Sequence, residues 1–236
     1  MSRGWKILLG TLVLLVVLLG AAFGVDRYLV AQTEAQLEEE ITTSVPELSG
    51  DIDVEIGGFL FLPQVLAGRL EDVRFTAASA TYQDLTFQDV DVRLLGVSTG
   101  EPRTVDDVDL RMTLPVETLQ AALASSEDVP EGVGIDVVDG ELVATANLLG
   151  LPITVGLEPV ANGNSISVTP TSFSIAGATV SAEDVPGNLI GDLGGLDVPI
   201  DQLPEGVELT EVVVLDGGVQ VSITGTDLAL DELSVG

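Results

Sequence analysis

The chain has 236 residues, 38 acidic against eight basic, for a formal net charge of −30, and it contains neither cysteine nor histidine. Such a surface repels phosphate backbones and leaves no role for nucleic acid. The missing residue types exclude disulfides, thiol and imidazole nucleophiles and the usual zinc and haem ligands. The only lysine is Lys6, close to the N-terminus.

Arg3 and Lys6 precede Ile7–Val25, an uncharged run of 19 residues. At about 1.5 Å per residue, a helix of that length reaches roughly 28 Å, enough to cross a bilayer core. The basic flank places the N-terminus in the cytoplasm and everything from Asp26 onward outside. The rival is a cleaved signal peptide, because "GAA" and "AFG" put small residues at cleavage spacing. A retained anchor is expected, because the helical pattern continues beyond the apolar run. The chain then divides into an anchor or signal peptide over 1–25 and one extracytoplasmic domain over 26–236. The location is the cell membrane, single-pass, or the envelope if the segment is removed.

Residues 26–45 read as helix, with Leu29, Ala31, Leu37 and Ile41 on one side and glutamates on the other. From Asp51 the period becomes two. Ile52, Val54 and Ile56 alternate with acids, and Val73, Phe75 and Ala77 alternate with polar residues, each set a half-buried strand. Leu85 and Phe87 lie on one parity while Val90, Val92 and Leu94 lie on the other, so a bulge is predicted near Gln88 and Asp89. Val108, Leu110, Met112 and Leu114 form a further strand. Pro115 then opens a short helix, with Thr113 as its cap. The rest is β: strands over 142–148 and 153–157, a turn at "ANGNS" (161–165), a strand through Ile166, Val168, Phe173 and Ile175, and a hairpin around Asp216-Gly217-Gly218. Residues 184–206 read as loop or short helix.

Among active-site chemistries only carboxylates remain, as a glycosidase pair or a calcium site. Asp51/Asp53, Asp89/Asp91 and Asp106/Asp107/Asp109 are the closest clusters, but with so many acids they mark the wet face of strands. No catalytic residue, metal ligand or cofactor is assigned.

The apolar stretch "GGFLFLPQVLAGRLEDVRF" (57–75) stands apart. Gly57-Gly58 permits a sharp turn, Phe59-Leu60-Phe61-Leu62 runs without alternation, and Val65, Leu66 and Leu70 follow in helical register. The stretch resembles the "GGFPFLTQVLAGR" signature of the actinobacterial LmeA-like (lipomannan elongation) phospholipid-binding proteins, with Pro63 three residues later than the family's proline. "VRLLGV" (92–97), "RMTLPVETLQAAL" (111–123) and "LPEGVELTEVVVLDGGVQVSITGTDLAL" (203–230) continue the similarity in order. The resemblance implies an α+β, β-rich fold in which a curved antiparallel sheet wraps a long helix, as in tubular lipid-binding (TULIP) proteins. It implies non-catalytic binding of phospholipid or glycolipid acyl chains, as carrier, sensor or accessory factor in envelope glycolipid assembly. The expected lipid-binding residues are Phe59, Leu60, Phe61, Leu62, Val65 and Leu66, at the mouth of a groove or against the bilayer. The alternatives are a structural β-domain without ligand and an acidic calcium-binding module. For protein isolated from membranes, the intact mass should include residues 1–25; a mature N-terminus at Phe23 or Val25 would identify a signal peptide instead.

Overall fold

The computed structural model of the protein describes residues 24–43, 48–82, 85–125, 132–148, 150–175, 178–181, 196–199, 203 and 205–229. Helix α1 (24–43) leads to β1 (Leu48–Ile56), the six-residue helix α2 (Phe61–Leu66), β2 (Arg69–Tyr82), β3 (Leu85–Ser98), β4 (Thr104–Pro115) and α3 (Val116–Ser125). Then follow β5 (Gly134–Val138), β6 (Glu141–Leu148), β7 (Leu151–Asn162), β8 (Ser165–Ile175), β9 (Ala178–Ser181), β10 (Leu196–Pro199), β11 (Val207–Leu215) and β12 (Gly218–Ala229). They form two antiparallel sheets. The first has the order β1-β2-β3-β4-β12-β11 and the second β10-β8-β7-β6-β5, with β9 also paired to β8.

Alternation along the strands gives the first sheet two unlike faces. On one face Val54, Phe75, Val92, Leu110, Ile223 and Leu209 are successive cross-strand partners, an apolar row over all six strands. A second row runs beside it through Ile56, Val73, Leu94 and Val108 to Gly225 and Val207. The opposite face carries Glu55, Arg74, Arg93 and Asp109 as consecutive partners. The bulge read from the parity change is present. The β3–β4 register shifts between Gln88 and Asp91, and Asp89 takes φ 52°, which turns the apolar set from Leu85 and Phe87 onto Val90, Val92 and Leu94. Thr113, expected to cap α3, is instead inside β4 opposite Gln220.

The sheets join at β11. The Leu209 amide donates to the Gly163 carbonyl at 2.8 Å, and Leu209, Val221 and Ile223 pack with Ala161 and Ile166. This covers one end of the apolar rows.

The other end is covered by α1, in a manner that corrects the expected architecture. The first sheet does not wrap the helix, which lies along the free edge of β1. There the Ile56 amide donates to Glu34 Oε1 at 2.7 Å and the Val54 amide to Glu38 Oε1 at 3.3 Å. Four helical residues advance about 6 Å and two strand residues about 6.8 Å, so carboxylates at i and i+4 match alternate amides of an antiparallel strand. Val30 is buried against Ile56 and Phe61, with Leu29 and Leu37 packed around them, whereas Ala31, expected on that face, is exposed. The physical reason is the stripe itself. A helix face that mixes Val30 and Leu37 with Glu34 and Glu38 suits a strand edge in need of acceptors, and an apolar interior would leave the acids unpaired.

Among the described residues no helix is long and apolar enough to cross a membrane. The anchor expected over 7–25 lies outside the described residues except for Gly24 and Val25 at its end.

Glu34→Ala removes the acceptor of a buried strand amide and should cost about 1–3 kcal/mol. Denaturant unfolding checks the cost. Hydrogen exchange should show faster exchange at the Ile56 amide, with the β12 amides unchanged.

Candidate functional site

Residues 56–68, "IGGFLFLPQVLAG", contain no charge, in a chain where acids are dense. The segment turns at Gly58, whose φ of +97° is a conformation that favours glycine, and a Cβ there would run into the Gln64 side chain. Gln64 is buried and fully used. Its Nε2 donates to the carbonyls of Gly57 (3.0 Å) and Leu60 (3.1 Å), and its Oε1 accepts from the Glu71 amide at 2.8 Å. One side chain thus ties the turn, α2 and the start of β2 together.

The start of α2 is held from a distance. Asp26, in the first turn of α1, accepts from the Phe61 amide (3.0 Å) and the Leu62 amide (2.8 Å). A helix start leaves its first amides unpaired; here Asp26 takes two, and Pro63 has none to offer. Asp26 is only 4% exposed. The Leu62 and Phe61 amides, assisted by Arg27, hold its carboxyl below the usual range against the opposing effect of burial.

The structure divides the six expected lipid-binding residues. Phe61 is buried against Val30 and Ile56 and packs the corner between α1, β1 and α2. Its position follows from α2, whose inward face is Phe61 and Gln64 at spacing three. Leu60 is half-buried. Leu62, Val65 and Leu66 share the outward face of α2 and are exposed, and Phe59 on the preceding turn is 81% exposed. Sequence reasoning missed Asp26 and Gln64. The available signals were a single carboxylate directly after the apolar run and a lone amide inside an uncharged one.

A second apolar feature lies on the first sheet. Both ends of its long row are buried, at Val54 (β1) and at Leu209 and Ile223 (β11, β12), while Phe75, Val92 and Leu110 in the middle are half-buried. The second row is similar but less closed, with Ile56 and Gly225 buried and Val73, Leu94, Val108 and the end residue Val207 half-buried. The middle strands therefore present a partly open apolar channel. Phe61, against Ile56, puts α2 at one end of it.

The opposite face has a different character. A concavity of about 370 Å³ there is lined by Glu55, Asp72, Asp91 and Asp109 with Arg74, Arg93 and Arg111. Arg74 grips Asp91 through Nε (3.1 Å) and Nη2 (2.6 Å), and Arg93 grips Asp72 through the same atoms (3.0 and 2.8 Å). These diagonal forks hold the Asp72 and Asp91 carboxyls below their ordinary range. The cleft has the wrong chemistry for an acyl chain. Asp89/Asp91 is accordingly not a simple solvated pair, since Asp91 is engaged by Arg74. No group of three or more acids among the described residues is placed to hold a metal ion.

An amphipathic antiparallel sheet with a half-open apolar face, and an uncharged helix at one end of that face, describes a protein class that handles apolar chains. The chain belongs to the LmeA-like phospholipid-binding family, whose model matches residues 24–224. Neither a curated protein nor a solved structure matches it.

Phe61→Ala should destabilise the domain by about 3–5 kcal/mol, and Phe59→Ala should leave denaturant stability nearly unchanged. The stabilisation from Asp26 should be complete above the ordinary aspartate value of about 4. A depressed folded-state pKa means that it is lost as pH falls through that lower value. In urea titrations across pH 2–7, Asp26→Asn should be less stable at neutral pH and show a shallower acid loss.

Proposed function

We propose that the protein binds one phospholipid-like molecule non-covalently, with an acyl chain along the half-open channel of the first sheet, and that it has no catalytic role. Family membership supplies the ligand class. The observation that supports the location is the apolar row closed at both ends, at Val54 and Leu209, and half-open at Phe75, Val92 and Leu110 between them. Each methylene exposed to water costs about 0.8 kcal/mol, so a site must cover most of a tail to compete with a bilayer. A channel across six strands is about 24 Å wide at roughly 4.8 Å per strand, comparable to an extended acyl chain. Aliphatic walls without placed polar groups suit a flexible tail of variable length better than a rigid small molecule.

In this reading Phe59, Leu60, Leu62, Val65 and Leu66 stand where a tail passes between bilayer and channel, and Phe61 supports them from below. The protein then serves as a carrier, sensor or accessory factor for phospholipid or glycolipid in the cell envelope. It is held at the membrane by residues 1–25, with 26–236 as one extracytoplasmic domain.

The test is to fill the channel. Val92→Trp and Leu110→Phe enlarge half-buried side chains without creating a cavity. Organic extraction and mass spectrometry of detergent-free protein should find phospholipid in the wild type at near-stoichiometric amounts and at least several-fold less in the variants. Equal lipid in all three proteins would place the tail elsewhere, and none in the wild type would favour a sheet that serves only as scaffold.

A further inference from the structure

Leu62, Val65 and Leu66 on α2 and Phe59 before it form an exposed apolar tip that the fold braces from beneath, through Asp26 and Gln64. Side chains so exposed on a domain with a net charge near −30 call for a partner. The distribution of positive charge indicates which. Six basic residues follow Val25 in the chain, and Arg74, Arg93 and Arg111 are committed to the polar face. The remaining three belong to segments that adjoin α2. Arg27 adjoins Asp26, and Arg69, paired with Asp106, begins β2 three residues after α2 ends. Arg103 lies on the turn that the Thr99 amide fastens to the Gly68 carbonyl at 3.0 Å. All three are exposed.

Apolar side chains at a tip, with the ion pairs Arg27–Asp26 and Arg69–Asp106 and the exposed Arg103, Glu71 and Glu101 behind them, match the layering of a zwitterionic lipid leaflet, hydrocarbon within and a headgroup layer of balanced charge outside. The chain's own path agrees. The uncharged run Ile7–Val25 ends one residue before Asp26, the residue that caps α2. Whatever holds that run in a bilayer also holds the tip against its surface.

We infer that Phe59, Leu62 and Leu66 insert into the outer hydrocarbon of a phospholipid bilayer, with Arg27, Arg69 and Arg103 at headgroup level. This docking surface is distinct from the acyl channel and does not depend on a lipid being bound there.

The experiment uses the full chain in phosphatidylcholine vesicles whose acyl chains carry bromine, a contact quencher of indole. Trp5 is the only native tryptophan and is replaced by Phe. Single tryptophans are then placed at Phe59, at Leu66, or at Val138, which is exposed on β5 of the second sheet. Phe59→Trp and Leu66→Trp should lose at least half of their emission relative to unbrominated vesicles, and Val138→Trp should lose little. The difference should persist in 1 M NaCl, and the quenching of the Phe59→Trp protein should disappear when Leu66→Asp is added. Equal quenching at all three positions, or loss of the difference in salt, would overturn the inference. Phospholipid extracted from the same samples reports separately on the channel: tip quenching without bound lipid retains the docking surface and removes the channel reading, and the converse result does the opposite.

Discussion

A sheet edge carries a row of unpaired amides and carbonyls, and β1 is such an edge. The protein closes it with carboxylates on a helix. Glu34 and Glu38 reach alternate amides because the rise of four helical residues nearly equals that of two strand residues. Once α1 is fixed along β1, Asp26 falls beside the first amides of α2 and Val30 against Phe61. The orientation of the tip and the covering of one end of the apolar rows both follow from that alignment. An edge covered in this way is also closed to pairing with another chain, a matter of weight for a β-rich protein without disulfides.

The first sheet keeps its two faces apart with little investment in either. Exposed ion pairs contribute about 0–1 kcal/mol each, so the arginine forks on the polar face do not hold the sheet together. Their diagonal geometry, Arg74 to Asp91 and Arg93 to Asp72, fits only one strand register. A slip of one residue would bring charges onto the apolar rows. The forks thereby select the register that keeps the channel apolar. The apolar face is mostly valine and leucine, with Phe75 the aromatic side chain in its two rows.

Much of this was legible in the sequence, because the first sheet depends on local alternation. The two parities of β3 gave away the bulge at Asp89, and the strand patterns around Val54, Phe75 and Leu110 marked their inward faces correctly. What stayed hidden depends on partners distant in the chain. Glu34 and Glu38 read as solvent-facing because helical periodicity carries no information about a strand edge some 20 residues away. Phe61 read like Phe59 because nothing local says which of two phenylalanines meets Val30. The wrapped-helix arrangement implied by family resemblance failed for the same reason: it concerned how α1 meets the sheet, which no local pattern encodes. The placement of β10 along β8 likewise rests on long-range pairing.

The junction at Asp26 leaves no slack. Helix α1 is continuous from residue 24, and its second turn is already packed against the domain. Were the preceding apolar run held in a bilayer, as proposed above, contact of the tip with the leaflet would be an intramolecular event at high effective concentration. A domain anchored in that way would have a very short reach. In the proposed reading it would exchange lipid only with the leaflet beside it or with an acceptor that comes to it, and a bulky group fused directly ahead of Gly24 would sit over the tip like a cap on a nozzle.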